Sequence, residues 1–425
     1  MKSQAFFTIV ILFAFSFLAA CGSPMPVQTQ VAPNAVVPSV APTIVLPNPT
    51  SEPTAIAIQS TEAEQPSLKI GLLGTMLDAD ADTTAYTTSL REGVEMAMQE
   101  WNAKGGLLGR QIELLVENDQ CDPGAAEAAA KKLISEQGVK FLIGEVCDWA
   151  ALPVTELANK QGVIQFVLAD HDPALTIGQD GKVKQNIFHA VYMDTVHGQA
   201  MAKFAYEHGY KTAFVISDPN NAYNAAPAEA FVDAFQKLGG KIVGQESYSL
   251  DQPDFPSILA KVKNSAAEVL FMPDWGPNIL QAKEQMKQMG VTATFMCTAG
   301  CGPAEADLAT MEGAYYINHF YADDPNPVFQ DWVQKYGAAN NDANGKPKAP
   351  DFYSTVGYYV ATMLFNAIQA AGSDDTAKIK DLIAQGSFDT VFGKIAFDPN
   401  HNALMDVTVM GVKDGKEVFI ESIAP

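Results

Sequence analysis

Basic side chains are scarce in this sequence of 425 residues: Lys and Arg together number 27 against 49 Asp and Glu, for a formal net charge of -22. That balance argues against nucleic acid or an anionic membrane surface as a partner, since both attract cationic patches. Long apolar runs are scarce too, and beyond residues 5–20 none is long and apolar enough to cross a bilayer. There is no GxxxxGK phosphate loop and no HExxH zinc motif, and none of the 6 His stands at ligand spacing to a cysteine pair. "GGLLG" (105–109) has the glycines of a dinucleotide loop, but it follows a helical pattern rather than a strand, so the phosphate-binding geometry is missing. No cofactor and no metal are implied.

What is present begins with residues 1–20, where Lys2 precedes a 16-residue apolar stretch, Ala5 to Ala20. It is short of the roughly 20 residues of a spanning helix and fits the apolar region of a signal peptide. Leu18-Ala19-Ala20-Cys21 resembles the bacterial lipoprotein box, in which the Cys is acylated and becomes the mature N-terminus. The alternative is ordinary secretion with Cys21 discarded or free; either exports the protein. Between Gly22 and Pro66 lie nine prolines, three Glu and no Lys or Arg. Such a composition cannot bury enough apolar surface to offset its ordering, so residues 21–67 read as a tether, reaching up to about 3 Å per residue where extended. The expected location is the outer face of the cell membrane or the periplasm, with the membrane touched only through the lipid.

Export bears on the 5 Cys, because disulfides persist outside the cytosol. They divide into a lipidated Cys21 and two pairs. A bridge from Cys121 to Cys147 closes a loop worth about 3 to 4 kcal/mol in the chain-entropy treatment. Cys297 and Cys301, in "CTAGC", are close enough to bridge locally or to stand as two free thiols.

From Leu68 onward short apolar runs alternate with helical patterns. "LKIGLLG" (68–74), "QIELLVE" (111–117), "VKFLIG" (139–144) and "VIQFVL" (163–168) read as strands. Between them, Leu90, Val94, Ala97, Met98 and Trp101 mark one helix face, Asp122-Pro123 opens a second helix, and "ALPVTELANKQG" (151–162) is a third. A second series follows, with strands at 211–216, 241–246, 268–273 and 292–297 separated by helical patterns. Strands alternating with helices of this length imply parallel sheets covered on both faces, and two series imply two lobes. "DFYSTVGYYVATMLFNAIQAAG" (351–372) is a long helix, and "ALMDVTVMGVKDGKEVFI" (403–420) a hairpin turned at Asp414-Gly415. In open α/β sheets ligands sit beyond the carboxyl ends of the strands. The segments of interest are therefore Thr75 to Tyr86, Cys147 to Trp149, Leu168 to Pro173, Ser217 to Tyr223, Pro273 to Trp275 and Cys297 to Cys301.

"LKIGLLG", "GVEMAMQEWNAKGGLLGRQIELLVENDQCDP" (93–123), "KKLISEQGVKFLIGEVC" (131–147) and "DPALT" (172–176) together resemble the periplasmic leucine/isoleucine/valine-binding proteins, the type I substrate-binding subunits of ABC importers. The likeness covers nearly all of 68–425. It implies an α/β fold of two lobes, each a mostly parallel sheet flanked by helices, joined by a hinge of three crossovers: 68–190 with 319–393, and 191–318 with 394–425. It also implies a monomer whose lobes close on a small ligand and dock on ABC permease subunits.

By that resemblance Tyr86 matches the family's aromatic after the first strand, Tyr223 and Trp275 the aromatics of the second lobe, and Tyr353 one near a crossover. Trp149 joins them from the loop after Cys147; the plain alternative for each is a loop aromatic packed on its own lobe. The family holds an amino acid's carboxylate with a Ser after the second bridging Cys and with a hydroxyl and backbone N–H groups of the next loop, and its ammonium with carbonyls and a Glu of the second lobe. Here those positions are Asp148, then His171 in the loop that also supplies Ala169 and Asp170, and Ala299. An Asp beside a ligand carboxylate is repulsive unless protonated or cation-paired. With Asp170, Asp172 and Asp274, Asp148 would make an acidic, aromatic cleft suited to an amino acid derivative, amine or amide. Asp148 as a simple helix cap is the alternative, and for His171 a loop pairing with Asp170 or Asp172; "ADHDP" could also hold a cation.

Cys147-Asp148 with His171 has the atoms of a thiol nucleophile, but a bridged Cys is inert, so no enzyme is expected. A sensory receptor of the same fold is the second functional class. Such receptors continue into a membrane span, and none follows the terminal strand here, which favours transport.

Overall fold

The computed structural model describes residues 66–76, 81–169, 172–249, 254–302, 306–318, 321–342 and 345–424; the side chains of 81–83 and of Asp148 lie outside that description. The signal segment, Cys21, most of the tether, Asp170 and His171 also lie outside it.

The first sheet is built from β1 (Leu68–Gly74), β2 (Ile112–Asn118), β3 (Phe141–Ile143), β4 (Ile164–Val167) and β5 (Ile187–His189), interleaved with α1 (Ala81–Ala103), α2 (Pro123–Lys131) and α3 (Asp148–Gln161). Its strand order is β2-β1-β3-β4-β5, all parallel. Period-two alternation sorts β1 between two cores: Ile70 and Leu72 pack with Leu90, Val94 and Ala97 of α1, while Leu73 packs with Ala126 and Ala130 of α2 and Val154 and Ala158 of α3. Asp122 caps α2, its carboxylate accepting from Ala125 N at 2.9 Å with Pro123 following, as the sequence signal requires.

The second series runs α4 (Asp194–Glu207), β6 (Thr212–Ser217), α5 (Ala222–Lys237), β7 (Lys241–Ser247), α6 (Phe255–Ser265), β8 (Val269–Phe271), α7 (Pro277–Met289), β9 (Thr294–Cys297) and β10 (Tyr315–Asn318). The chain then adds α8 (Pro327–Ala339), α9 (Phe352–Ala371), α10 (Thr376–Gln385), β11 (Ser387–Thr390), β12 (Gly393–Phe397), β13 (Ala403–Leu404), β14 (Val407–Lys413) and β15 (Lys416–Ile423). The second sheet has the order β15-β14-β10-β9-β8-β6-β7, parallel except for β14 and β15. The hairpin turns at Asp414 (φ 55°) and Gly415 (φ 68°), the two left-handed residues that an Asp-Gly turn supplies at least cost.

Strands β11, β12 and β13 form a small antiparallel sheet of their own. It lies against the edge of the first sheet: His401 stacks on Phe188 with ring centroids 4.4 Å apart, and His189 N donates to the His401 carbonyl. Residues 393 and 394, where a crossover was expected, are both within β12, and pairing keeps the chain in the small sheet to Leu404. Elements α8, α10, β11 and β12 lie outside the two alternating series read from the sequence.

Helix α9 returns the chain to the first lobe and packs along α1 almost backbone to backbone. A Cβ on Gly93 would lie 1.9 Å from the Ser354 carbonyl oxygen, and one on Gly357 would lie 2.2 Å from that of Leu90. Asp351 caps α9 in a reciprocal box with Ser354, and Ser89 of α1 donates to the Asp351 carboxylate at 2.5 Å. In an exposed helix Gly→Ala gains about 1 kcal/mol from propensity. At Gly357 the collision with backbone reverses the sign: Gly357→Ala is expected to lower stability by about 1 to 3 kcal/mol, read as a drop in Tm by calorimetry. An unchanged or raised Tm would contradict the close packing.

Candidate ligand-binding site

On the first lobe, Tyr86 of α1 and Tyr353 of α9 stack with ring centroids 4.5 Å apart and an interplanar angle of 21°. Tyr86 keeps 40% of its surface exposed. Trp149, in the first turn of α3, is 66% exposed, and its Nε1 donates to the Cys121 carbonyl at 2.6 Å. Cys121 is bonded to Cys147 (Cα–Cα 5.7 Å), so the bridge and the indole fasten the α2 and α3 starts together.

Beneath them lie two acids that the sequence analysis did not single out. Asp119 and Glu145 are fully buried. Asp119 Oδ1 accepts from Thr75 Oγ1 at 2.9 Å and Cys121 N at 2.8 Å, and Glu145 Oε1 from Val146 N and Cys147 N. Their other oxygens have no donor among the described residues, and the two carboxyls act on each other. Burial first, then the hydrogen bond and charge of Asp119, push the Glu145 carboxyl well above the ordinary carboxylate range. The only sequence signal was adjacency to Cys121 and Cys147.

On the second lobe, Tyr223 at the start of α5 meets Trp275 edge to face, centroids 5.1 Å apart, and its hydroxyl is 3.1 Å from Thr298 Oγ1. Trp275 is 37% exposed. Asp274, expected to make the cleft acidic, is instead fully buried: it accepts from the Tyr248 hydroxyl and, at 2.7 Å, from Trp275 N. Burial raises its carboxyl above the usual range against the pull of those donors. Asn224 completes the cluster, donating to the Pro273 carbonyl at 2.7 Å. Cys297 and Cys301 are bonded to each other across the turn.

Other expected residues are placed differently. Ala169 is buried, with its N–H on the Glu145 carbonyl and its own carbonyl held by His189 Nε2, so its backbone is engaged within the lobe. Asp172 is exposed and caps the short 3-10 turn at Pro173 through Ala174 N. The cap residue of α3 is Cys147, and Asp148 is the first residue of the helix rather than its cap. Ala299 is half-buried in the turn closed by the second disulfide. Asp170 and His171 lie outside the described residues. Among the described residues no group of three or more His, Cys, Asp or Glu is placed to hold a metal ion, and no helix is long and apolar enough to cross a membrane.

The family model described as "Periplasmic binding protein" matches residues 67–417. The chain belongs to that family. Periplasmic binding proteins are solute-binding rather than catalytic, and membership implies an extracytoplasmic location. The Leu-, Ile-, Val-, Thr- and Ala-binding protein of Pseudomonas aeruginosa is 25% identical over 342 residues, 78% of this chain and 86% of that protein. Leu/Ile/Val-binding protein homolog 2 of Brucella abortus (strain 2308) is 28% identical over 331 residues, 77% and 85% of the two chains. Among solved structures, the leucine binding protein LivK of Thermotoga maritima superposes with a TM-score of 0.64 at 26% identity, covering 84% of this chain and 99% of that one. The periplasmic binding protein fold of two lobes joined by three crossovers is thereby shown.

The acid pair has a pH signature. The folded protein keeps on Glu145 a proton that the unfolded chain releases near the ordinary value of 4.5. Stability from the protonated Glu145 is thus fully present at low pH and falls as pH rises toward the folded pKa. Tm is expected to be higher at about pH 5 than at about pH 8, and Glu145→Gln, which keeps the pairing without the titration, to shrink that difference. An identical pH profile in the variant would contradict a proton held on Glu145.

Proposed function

We propose that this protein is the extracytoplasmic solute-binding lipoprotein of an ABC importer. In this reading it captures a small amino acid or a related amine or amide between its lobes and delivers it to the permease as a monomer. The observation that carries the ligand reading is the pair of partly exposed aromatic sets: Tyr86, Tyr353 and Trp149 beyond the first sheet, Tyr223 and Trp275 beyond the second. Both stand where parallel strands end, which is where open α/β sheets bind ligands. The chain crosses between lobes near 190, near 319 and, because β13 pairs within the small sheet, after Leu404.

The ligand class rests on chemistry at the lobe faces. Relatives named for branched-chain amino acids support an amino acid-sized ligand. Asp148 at the start of α3 works against a free carboxylate there, and the aromatic faces favour an ammonium. Asp170 and His171 join the proposed set from the adjacent loop; Ala169, with its backbone engaged inside the lobe, contributes by holding that loop. The leader, acylation at Cys21 and the tether of 21–67 would keep the lobes near the permease.

Calorimetry with L-leucine, L-isoleucine, L-valine, L-leucinamide and phenethylamine, with mass spectrometry of whatever co-purifies, tests this. L-leucinamide is expected to bind at least about tenfold more tightly than L-leucine, about 1.4 kcal/mol. Tight binding confined to L-leucine would overturn the amine and amide class.

A further inference from the structure

We propose that the Cys297–Cys301 disulfide is a positioning device for ligand recognition, setting the geometry of the Tyr223–Trp275 pair; this rests on those aromatics forming the second lobe's share of the site. The two cysteines are separated by only 4 in sequence, against 26 for Cys121 and Cys147. A cross-link over so short a loop removes little freedom from the unfolded chain, so its main consequence is local.

What it closes is a 3-10 turn, Ala299–Cys301, at the end of β9. Without the bridge, the turn's own backbone bonds are Cys301 N to Thr298 O at 3.2 Å and Gly302 N to Ala299 O at 2.9 Å. Two surfaces of this turn reach the aromatics. Thr298, fully buried, meets the Tyr223 hydroxyl at 3.1 Å. Gly300 lies flush on the loop before α7: a Cβ there would come within 2.3 Å of the Asp274 carbonyl and 2.6 Å of Trp275 Cβ. Asp274 in turn accepts from Trp275 N and from Tyr248. With more than a third of its surface in solvent, the Trp275 ring is held by these neighbours more than by burial. Displacing the turn therefore moves both rings, and the bridge is what holds the turn.

The test uses the full chain, with Cys297→Ser and Cys301→Ser together, and Gly300→Ala as a second variant that keeps the bridge but wedges the turn away from Trp275. Acrylamide quenching, with and without Trp275→Phe, isolates the Trp275 signal in ligand-free protein. Its quenching constant is expected to rise about twofold in both variants, and an unchanged constant overturns the proposal. L-leucinamide affinity by calorimetry is expected to fall about tenfold in each variant and in Trp275→Ala, with the double-cysteine and Trp275 effects less than additive. If Trp275→Ala weakens binding while the cysteine variant does not, the positioning role is refuted and the site stands. If Trp275→Ala leaves affinity unchanged, the site reading fails, and the role in recognition with it.

Discussion

Helices α1 and α9 meet where neither has a side chain to spare, Gly93 against the Ser354 carbonyl and Gly357 against that of Leu90. Much of the first lobe hangs on that contact. After β10 the chain comes back through α9 to cover one face of the first sheet before β14 and β15 complete the second, so helix packing holds discontinuous segments together beside the first sheet. The same contact sets Tyr353 over Tyr86 and lets Ser89 reach the cap of α9. Any residue with a Cβ at either glycine would separate the helices and the aromatic face they carry.

The walls of the site are stiffened by different means. On the first lobe a disulfide over a long loop ties two helix starts, Trp149 is latched to the Cys121 carbonyl, and a pair of buried acids with Glu145 protonated lies below. On the second, a disulfide over a very short loop shapes one turn, and the turn shapes its neighbours. Both lobes put carboxyls inside rather than in the cleft: Asp274, Asp119 and Glu145 answer to hydroxyls, backbone N–H groups or one another. Burial makes an unpaired carboxylate too costly, so each is matched by donors or kept protonated.

Much of the architecture was legible in the residues, because the signals are local. The apolar run in "LKIGLLG", the helix face from Leu90 to Trp101, Asp122-Pro123 and Asp414-Gly415 each depend on neighbours a few positions away, and each forms as read. The resemblance to leucine-binding proteins added the pairing of the two series into lobes. The cap of α3 was misassigned by one residue, because Cys147 takes the extended conformation that Asp148 would otherwise adopt. Strands β11 and β12 are only 4 and 5 residues long, and their small sheet meets the edge of another through the His189–Asn402 bridge, a pairing that no local pattern carries.

By itself, then, the sequence determined an exported, acidic, doubly series-built α/β chain and the strand ends where its chemistry gathers. Only the tertiary structure decided which side chains meet there. It turned Asp274 from a cleft acid into an internal one, joined Asp119 to Glu145, engaged Ala169 with His189, and set Gly300 against Trp275. The physical reason is range: periodicity and capping act over a turn or two of chain, whereas burial, hydrogen-bond matching and steric fit are settled between segments that are brought together only when the sheets and helices pack.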